Sequence, residues 1–99
     1  MMKKPQDCKN LEDIRAEIDT IDRQIISLLA QRFGFVRAVT KYKKNDKDSI
    51  IAIERYNAVL QNRRKLAEEY QLDPDVIEKM YKLLLDYFIS EEMKVLNLK

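Results

Sequence analysis

The chain has no histidine and no tryptophan, and only 1 Gly, 1 Cys and 2 Pro in 99 residues. Without histidine, the usual general base and the commonest zinc ligand are missing. One glycine cannot build a Gly-rich phosphate loop. Hydrolase triads and nucleotide cradles are therefore poor fits. The lone Cys8 has no partner for an intrachain disulfide, which fits a reducing cytoplasm. No apolar run reaches the length of a membrane span, and Met1-Met2-Lys3-Lys4-Pro5 lacks the apolar stretch of a signal peptide. Net charge is +2 with both signs mixed, far from the concentrated basic face that nucleic acid calls for. The run Arg37–Lys47 is broken by apolar residues and Asp46, with Asp48 just beyond, which argues against nucleic acid there.

What is present suits helices. The chain is 45% hydrophobic and 36% charged, rich in helix formers and poor in turn residues. It reads as one all-α domain, 1–99, with an extended polar tail over 1–9. Helices are expected at about 10–44, 50–70 and 74–96. Asn10 can cap the first, with Glu12 and Asp13 in its positive first turn. Ser49 can cap the second after a polar break at 45–49. Asp73-Pro74-Asp75 is a strong start for the third: a cap, a proline at the first helical position and an acid in the first turn. The second helix has a core face of Ile53, Tyr56, Leu60, Ala67 and Tyr70. The third presents Ile77, Met80, Leu84, Phe88 and Val95, broadened by Tyr81, Leu85 and Ile89.

The first helix carries a long seam: Leu11, Ile14, Ile18, Ile21, Ile25 and Leu28, then Arg32, Val36, Val39 and Lys43. It spans roughly 50 Å, against roughly 30 Å for each of the other two. A monomer would leave much of that seam in water, so a symmetric homodimer packed along the long helices is expected. Gly34, inside this helix, is read either as a tolerated glycine or as a site of close approach by a neighbour or ligand.

The charges set into apolar faces are the candidates for chemistry. Arg32 and Lys43 point within roughly 20° of one another about the helix axis and lie roughly 16 Å apart along it, so they can converge on a small anion. Arg15 is rotated by roughly 100° from Arg32 and lies roughly 25 Å away, so it can join such a site only from a second, antiparallel chain. Solvated roles for Arg15 and Lys43, and a structural ion pair for Arg32, stay open. So does the choice between Glu91 and Glu92 as the inward-facing carboxyl of the third helix. A carboxyl in an apolar setting favours its neutral, hydrogen-bond-donating form. Arg55, Arg63 and Arg64 read as surface residues.

Asp7-Cys8-Lys9-Asn10-Leu11-Glu12-Asp13-Ile14-Arg15, with Ile18-Asp19-Thr20-Ile21-Asp22, resembles the all-helical chorismate mutase family, and within it the isochorismate-pyruvate lyase branch that makes salicylate for siderophores. Arg32-Phe33, Tyr42-Lys43, Glu54-Arg55 and Tyr87-Phe88-Ile89-x-Glu91-Glu92-Met93-Lys94 extend the likeness along nearly the whole chain.

The resemblance implies an intertwined homodimer with two sites built from both chains, and a small dianionic substrate. It implies that Arg15 of the partner chain contacts one substrate carboxylate and Arg32 the other. Lys43 closes over the site and donates to the ether oxygen, above an apolar floor of Val36 and Val39. Arg55 supports the site, and Ile89 and Glu92 complete it. No metal or cofactor is implied. Two departures matter. Mutases carry acidic residues at the positions held here by Ala52 and Tyr56, and their loss resembles the lyases. Lyases and many mutases have Gln where Glu92 stands; fungal mutases have Glu and use it protonated. The expected function is conversion of isochorismate to salicylate and pyruvate by a pericyclic mechanism, with side chorismate mutase activity. Chorismate mutase as the main activity, and a non-catalytic helical dimerisation or metabolite-binding module, are the alternatives.

Overall fold

A computed structural model describes residues 3–43 and 46–95. Among them the regular structure is entirely helical: α1 (Leu11–Val39), α2 (Lys47–Ile51), α3 (Ile53–Glu69) and α4 (Pro74–Val95), with short 3-10 turns at Pro5–Asp7 and Thr40–Tyr42. No described helix is long and apolar enough to cross a membrane. The chain divides into two compact units, Met1–Val36 and Arg37–Lys99.

The first unit is almost all α1. Asn10 caps it as expected, its Oδ1 accepting from the Asp13 N–H at 2.8 Å. Asp13 reaches back to accept from the Lys9 N–H at 3.1 Å and pairs with Lys3 at 3.4 Å. The Lys9 N–H bond is the main reason that its carboxyl is held below the ordinary range. The tail is thus not wholly extended: its 3-10 turn at Pro5–Asp7 and these bonds fold it back on the helix start. No residue of α1 is buried. The seam residues Leu11, Ile14, Ile18, Ile21, Ile25 and Leu28 are each between 41% and 61% exposed. A Cβ placed on Gly34 meets nothing within 4 Å, so within one chain the glycine answers to no close neighbour.

The second unit owns a small core. Ile50 of α2, Val59, Leu60 and Ala67 of α3, and Phe88 of α4 are buried. The expected faces hold in part: Tyr56, Ile77, Tyr81, Leu84, Leu85 and Ile89 are half-buried, while Ile53, Tyr70, Met80 and Val95 stand in solvent. Asp73 caps α4 as expected, accepting from the Asp75 N–H at 2.8 Å and the Val76 N–H at 3.4 Å. Arg64, expected at the surface, instead ties α3 to α4 through Asp75 at 2.7 Å and Glu78 at 3.5 Å. These contacts raise its pKa, the Asp75 hydrogen bond most. Arg63 lies over the Tyr81 ring, 5.3 Å from its centre.

Helix boundaries in the middle of the chain differ from expectation. The α-helical part of the first helix stops at Val39, short of 44. The Thr40 hydroxyl takes the Arg37 carbonyl at 2.6 Å, and a Thr competing locally for helix carbonyls loosens the last turn. Lys43 is then extended, at φ −95° and ψ 148°. Lys44 and Asn45 lie outside the described residues, as do 96–99, where the third helix was expected to end. The second expected helix is two. Asp46, not Ser49, is the cap, accepting from the Ser49 N–H at 2.8 Å, and Ser49 sits inside α2. Ala52 divides α2 from α3 in the left-handed region, at φ 45° and ψ 63°. An alanine there costs on the order of 1 kcal/mol, so packing on either side must hold it.

Candidate functional site

The polar centre of the second unit grows out of that bend. The 3-10 turn and the extended Lys43 lay its side chain against α2 and α4. Lys43 Nζ donates to the Ile50 carbonyl at 3.3 Å and to Glu92 Oε2 at 3.2 Å. The Glu92 side chain is 7% exposed and that of Lys43 21%. Glu92 is the one buried polar or charged residue among those described. Burying such a pair is expensive unless both members are well satisfied. Here the ammonium has a carboxylate and a carbonyl, and Ile50, which supplies the carbonyl, is only 1% exposed.

Glu92 is therefore the inward-facing carboxyl, and Glu91 lies nearer the surface, paired with Lys94 at 3.3 Å. The setting of Glu92 is not simply apolar, as the sequence suggested, because a cation faces it. Phe88, one turn earlier on α4, is buried and meets Tyr87 edge-on at 5.7 Å between ring centres. Ile89 is half-buried on the same helix. Val39 and Arg55 are exposed. In the first unit Arg32 and Val36 are half-buried and Arg15 is exposed on α1. The structure thus brings Lys43 and Glu92 into contact. Arg15, Arg32 and Val36 belong to the other unit.

Two features escaped the sequence reading. The Ile50 carbonyl is a backbone group, and its only trace in the sequence is an apolar pair, Ile50-Ile51, after a polar run. The second is a hydrogen bond from the Tyr56 hydroxyl on α3 to Asp86 Oδ1 on α4 at 2.6 Å. It is one of the reasons, after desolvation, that the phenol is pushed up to about 12. A partner 30 residues away leaves no periodic signal. Among the described residues, no group of three or more His, Cys, Asp or Glu is arranged to hold a metal ion.

The second unit thus holds a buried carboxylate gripped by a lysine, and α1 of the first unit carries Arg15 and Arg32. Comparison with known proteins gives the class. Residues 14–93 match the family model of chorismate mutase type II, and the chain belongs to that family. It is 38% identical over 93 residues to the isochorismate pyruvate lyase of Pseudomonas aeruginosa, covering 94% of this chain and 91% of that protein. It is 44% identical over 68 residues to the T-protein of Haemophilus influenzae, a match that spans 69% of this chain but 18% of that one. It is 29% identical over 79 residues to the chorismate mutase of Methanocaldococcus jannaschii, covering 80% of each.

Proposed function

We propose that this member of the family is an isochorismate-pyruvate lyase, with weaker chorismate mutase activity. The observation that carries the reading is the near full-length match to a protein named for that activity. Ala52 and Tyr56 at the two positions where mutases carry acids point the same way. Chorismate mutase as the main activity is the second reading, favoured by the similarly even match to the archaeal mutase.

The reaction needs no nucleophile and no cofactor. A ring hydrogen moves to the enolpyruvyl methylene while the C–O bond breaks, and the fragments leave as salicylate and pyruvate. In the mutase reaction the same ether bond breaks as a C–C bond forms. The protein's work is to hold a dianion in a compact conformer and to favour the charge that develops at the ether oxygen.

Arg32 and the partner chain's arginine at position 15 bind the two carboxylates. Lys43 donates to the ether oxygen, leaving its resting place between Ile50 and Glu92. Glu92 is the second polar group beside that oxygen. Val36, Val39 and Ile89 supply apolar walls, and Arg55 supports the site. The solvent-facing apolar seam of α1 supports the homodimer that this arrangement requires.

The test is incubation of the purified protein with isochorismate and, separately, with chorismate. Salicylate formed faster than prephenate is the expected result. Prephenate formed faster would establish the second reading. Binding of either compound by calorimetry without turnover would contradict both and leave a metabolite-binding module.

A further inference from the structure

Lys43 is held by two groups, and one of them is a backbone carbonyl whose position depends on the corner between α2 and α3. That corner is the left-handed Ala52, at φ 45°. The Ala52 N–H closes α2 on the Asp48 carbonyl at 2.9 Å, and the Ala52 carbonyl opens α3 by accepting from the Tyr56 N–H at 3.0 Å. No side chain caps α3 at this point. On the α2 side the corner is held by the burial of Ile50 and by Lys43, and on the α3 side its side-chain fastening is Tyr56. Its hydroxyl, one turn into α3, reaches across to Asp86 on α4. Glu92 lies six residues further along the same helix. The polar contacts therefore close a ring. Lys43 joins the Ile50 carbonyl, the chain runs through Ala52 to Tyr56, Tyr56 joins Asp86, and α4 leads to Glu92 and back to Lys43.

A ring with two fastenings on α4 behaves differently from one with a single fastening. On the reading that Lys43 serves the substrate, its bond to Glu92 must loosen in each cycle. The Tyr56 bond does not have to. It is short, at 2.6 Å, and charge-assisted, and nothing in the proposed cycle competes for it.

We infer that Tyr56 and Asp86 are a positioning pair for the reaction: their hydrogen bond fixes the α2–α3 corner, and with it the Ile50 carbonyl on which Lys43 pivots between Glu92 and the substrate. Neither residue touches substrate in this role. The pair gives a chain without acids at positions 52 and 56 a reason to keep a tyrosine at 56.

The test is a double-mutant cycle with one further readout. Tyr56→Phe removes only the hydroxyl. It is expected to lower kcat/KM by about tenfold, mostly in kcat. In a Lys43→Ala background the same change is expected to cost less than about twofold, because the group being positioned is gone. Asp86→Ala should reproduce Tyr56→Phe, and Asp86→Asn, which keeps an acceptor oxygen, should restore part of the loss. Independently of activity, amide hydrogen exchange at Ile50, Ile51 and Ala52 should quicken in Tyr56→Phe while exchange in the middle of α4 stays slow. An equal fall of kcat/KM in both backgrounds, or unchanged exchange at the corner, would overturn the inference. A parent protein that turns over neither isochorismate nor chorismate would defeat the proposed function instead, and the exchange measurement would still decide for or against the fastening.

Discussion

The two units of the chain satisfy their apolar residues in different ways. Residues 37–99 bury Ile50, Val59, Leu60, Ala67 and Phe88 among three helices, with one carboxylate, Glu92, enclosed and answered by Lys43. In the first unit the described residues are essentially one helix, α1, with none of them buried, although that helix carries six isoleucines and leucines in register. The second unit has a small core of its own beside further exposed apolar residues, whereas α1 leaves its whole seam open. Fully burying one such side chain is worth roughly 1.5–3 kcal/mol, so an open seam of this length is a large reserve of association energy. Equal hydrophobic periodicity is thus partly buried in one place and left open in another. Only the presence of helices to cover the stripe distinguishes them.

The largest effect is expected from a charge placed in the seam. Ile18→Asp is half-exposed in one chain and would cost a monomer well under about 1 kcal/mol. In the proposed dimer it buries two unpaired carboxylates, so sedimentation should show dissociation to monomers and the melting temperature should fall by on the order of 10 °C. An unchanged mass and melting point would mean that the seam stays in water.

Next in size is the polar centre of the second unit. Lys43→Ala is expected to lower turnover by about 10²- to 10³-fold, the usual loss when a donor at a developing negative charge is removed. Arg55→Ala, at an exposed position, should cost less than about tenfold. Comparable small losses from both would refute the assigned roles. Within the same centre Glu92→Gln, which keeps a polar group of the same shape with an amide donor, should retain activity, whereas Glu92→Leu should not.

A smaller effect returns to the first unit. Gly34→Ala adds a methyl group that meets nothing in one chain, and alanine is favoured over glycine in a helix by roughly 0.5–1 kcal/mol. A rise of a few degrees in melting temperature is expected. A fall would show that a partner or substrate approaches this turn.

The smallest effect is at high pH. The Tyr56 phenol, raised to about 12 in the folded chain, is neutral there while the unfolded chain's tyrosine ionises near its ordinary value of about 10. Its stabilising contribution is therefore complete below about pH 10 and is lost as pH rises toward 12. Denaturant melts across that window should show a loss of stability in the parent that is absent from Tyr56→Phe.

Much of the fold was legible because its signals are local. Asn10 and Asp73 cap the helices that follow them, and Pro74 opens α4, as their residue types require. That one carboxyl of the pair Glu91 and Glu92 turns inward was legible, but only the structure shows that it is Glu92. The segment from Thr40 to Ala52 was not legible. Its course depends on a threonine hydroxyl competing for a carbonyl, an aspartate capping a five-residue helix and an alanine held at positive φ. None of these leaves a gap in the apolar pattern. The candidate site divides in the same way. Lys43 and Glu92 stood out as charges on apolar faces, and they meet. The Ile50 carbonyl and the Tyr56–Asp86 bond depend on tertiary structure that no spacing encodes.

In the proposed dimer the open seam and the Lys43 centre serve one reaction shared between two chains. This sharing is tested most directly by mixing two inactive variants, Arg15→Ala and Lys43→Ala, under conditions that let subunits exchange. If each site takes its arginine at position 15 from one chain and its Lys43 from the other, a mixed dimer holds one intact site and one doubly damaged site. Random exchange of equal amounts should then restore about a quarter of the parent activity toward isochorismate. Activity that stays at the level of the separate variants after exchange would contradict the account.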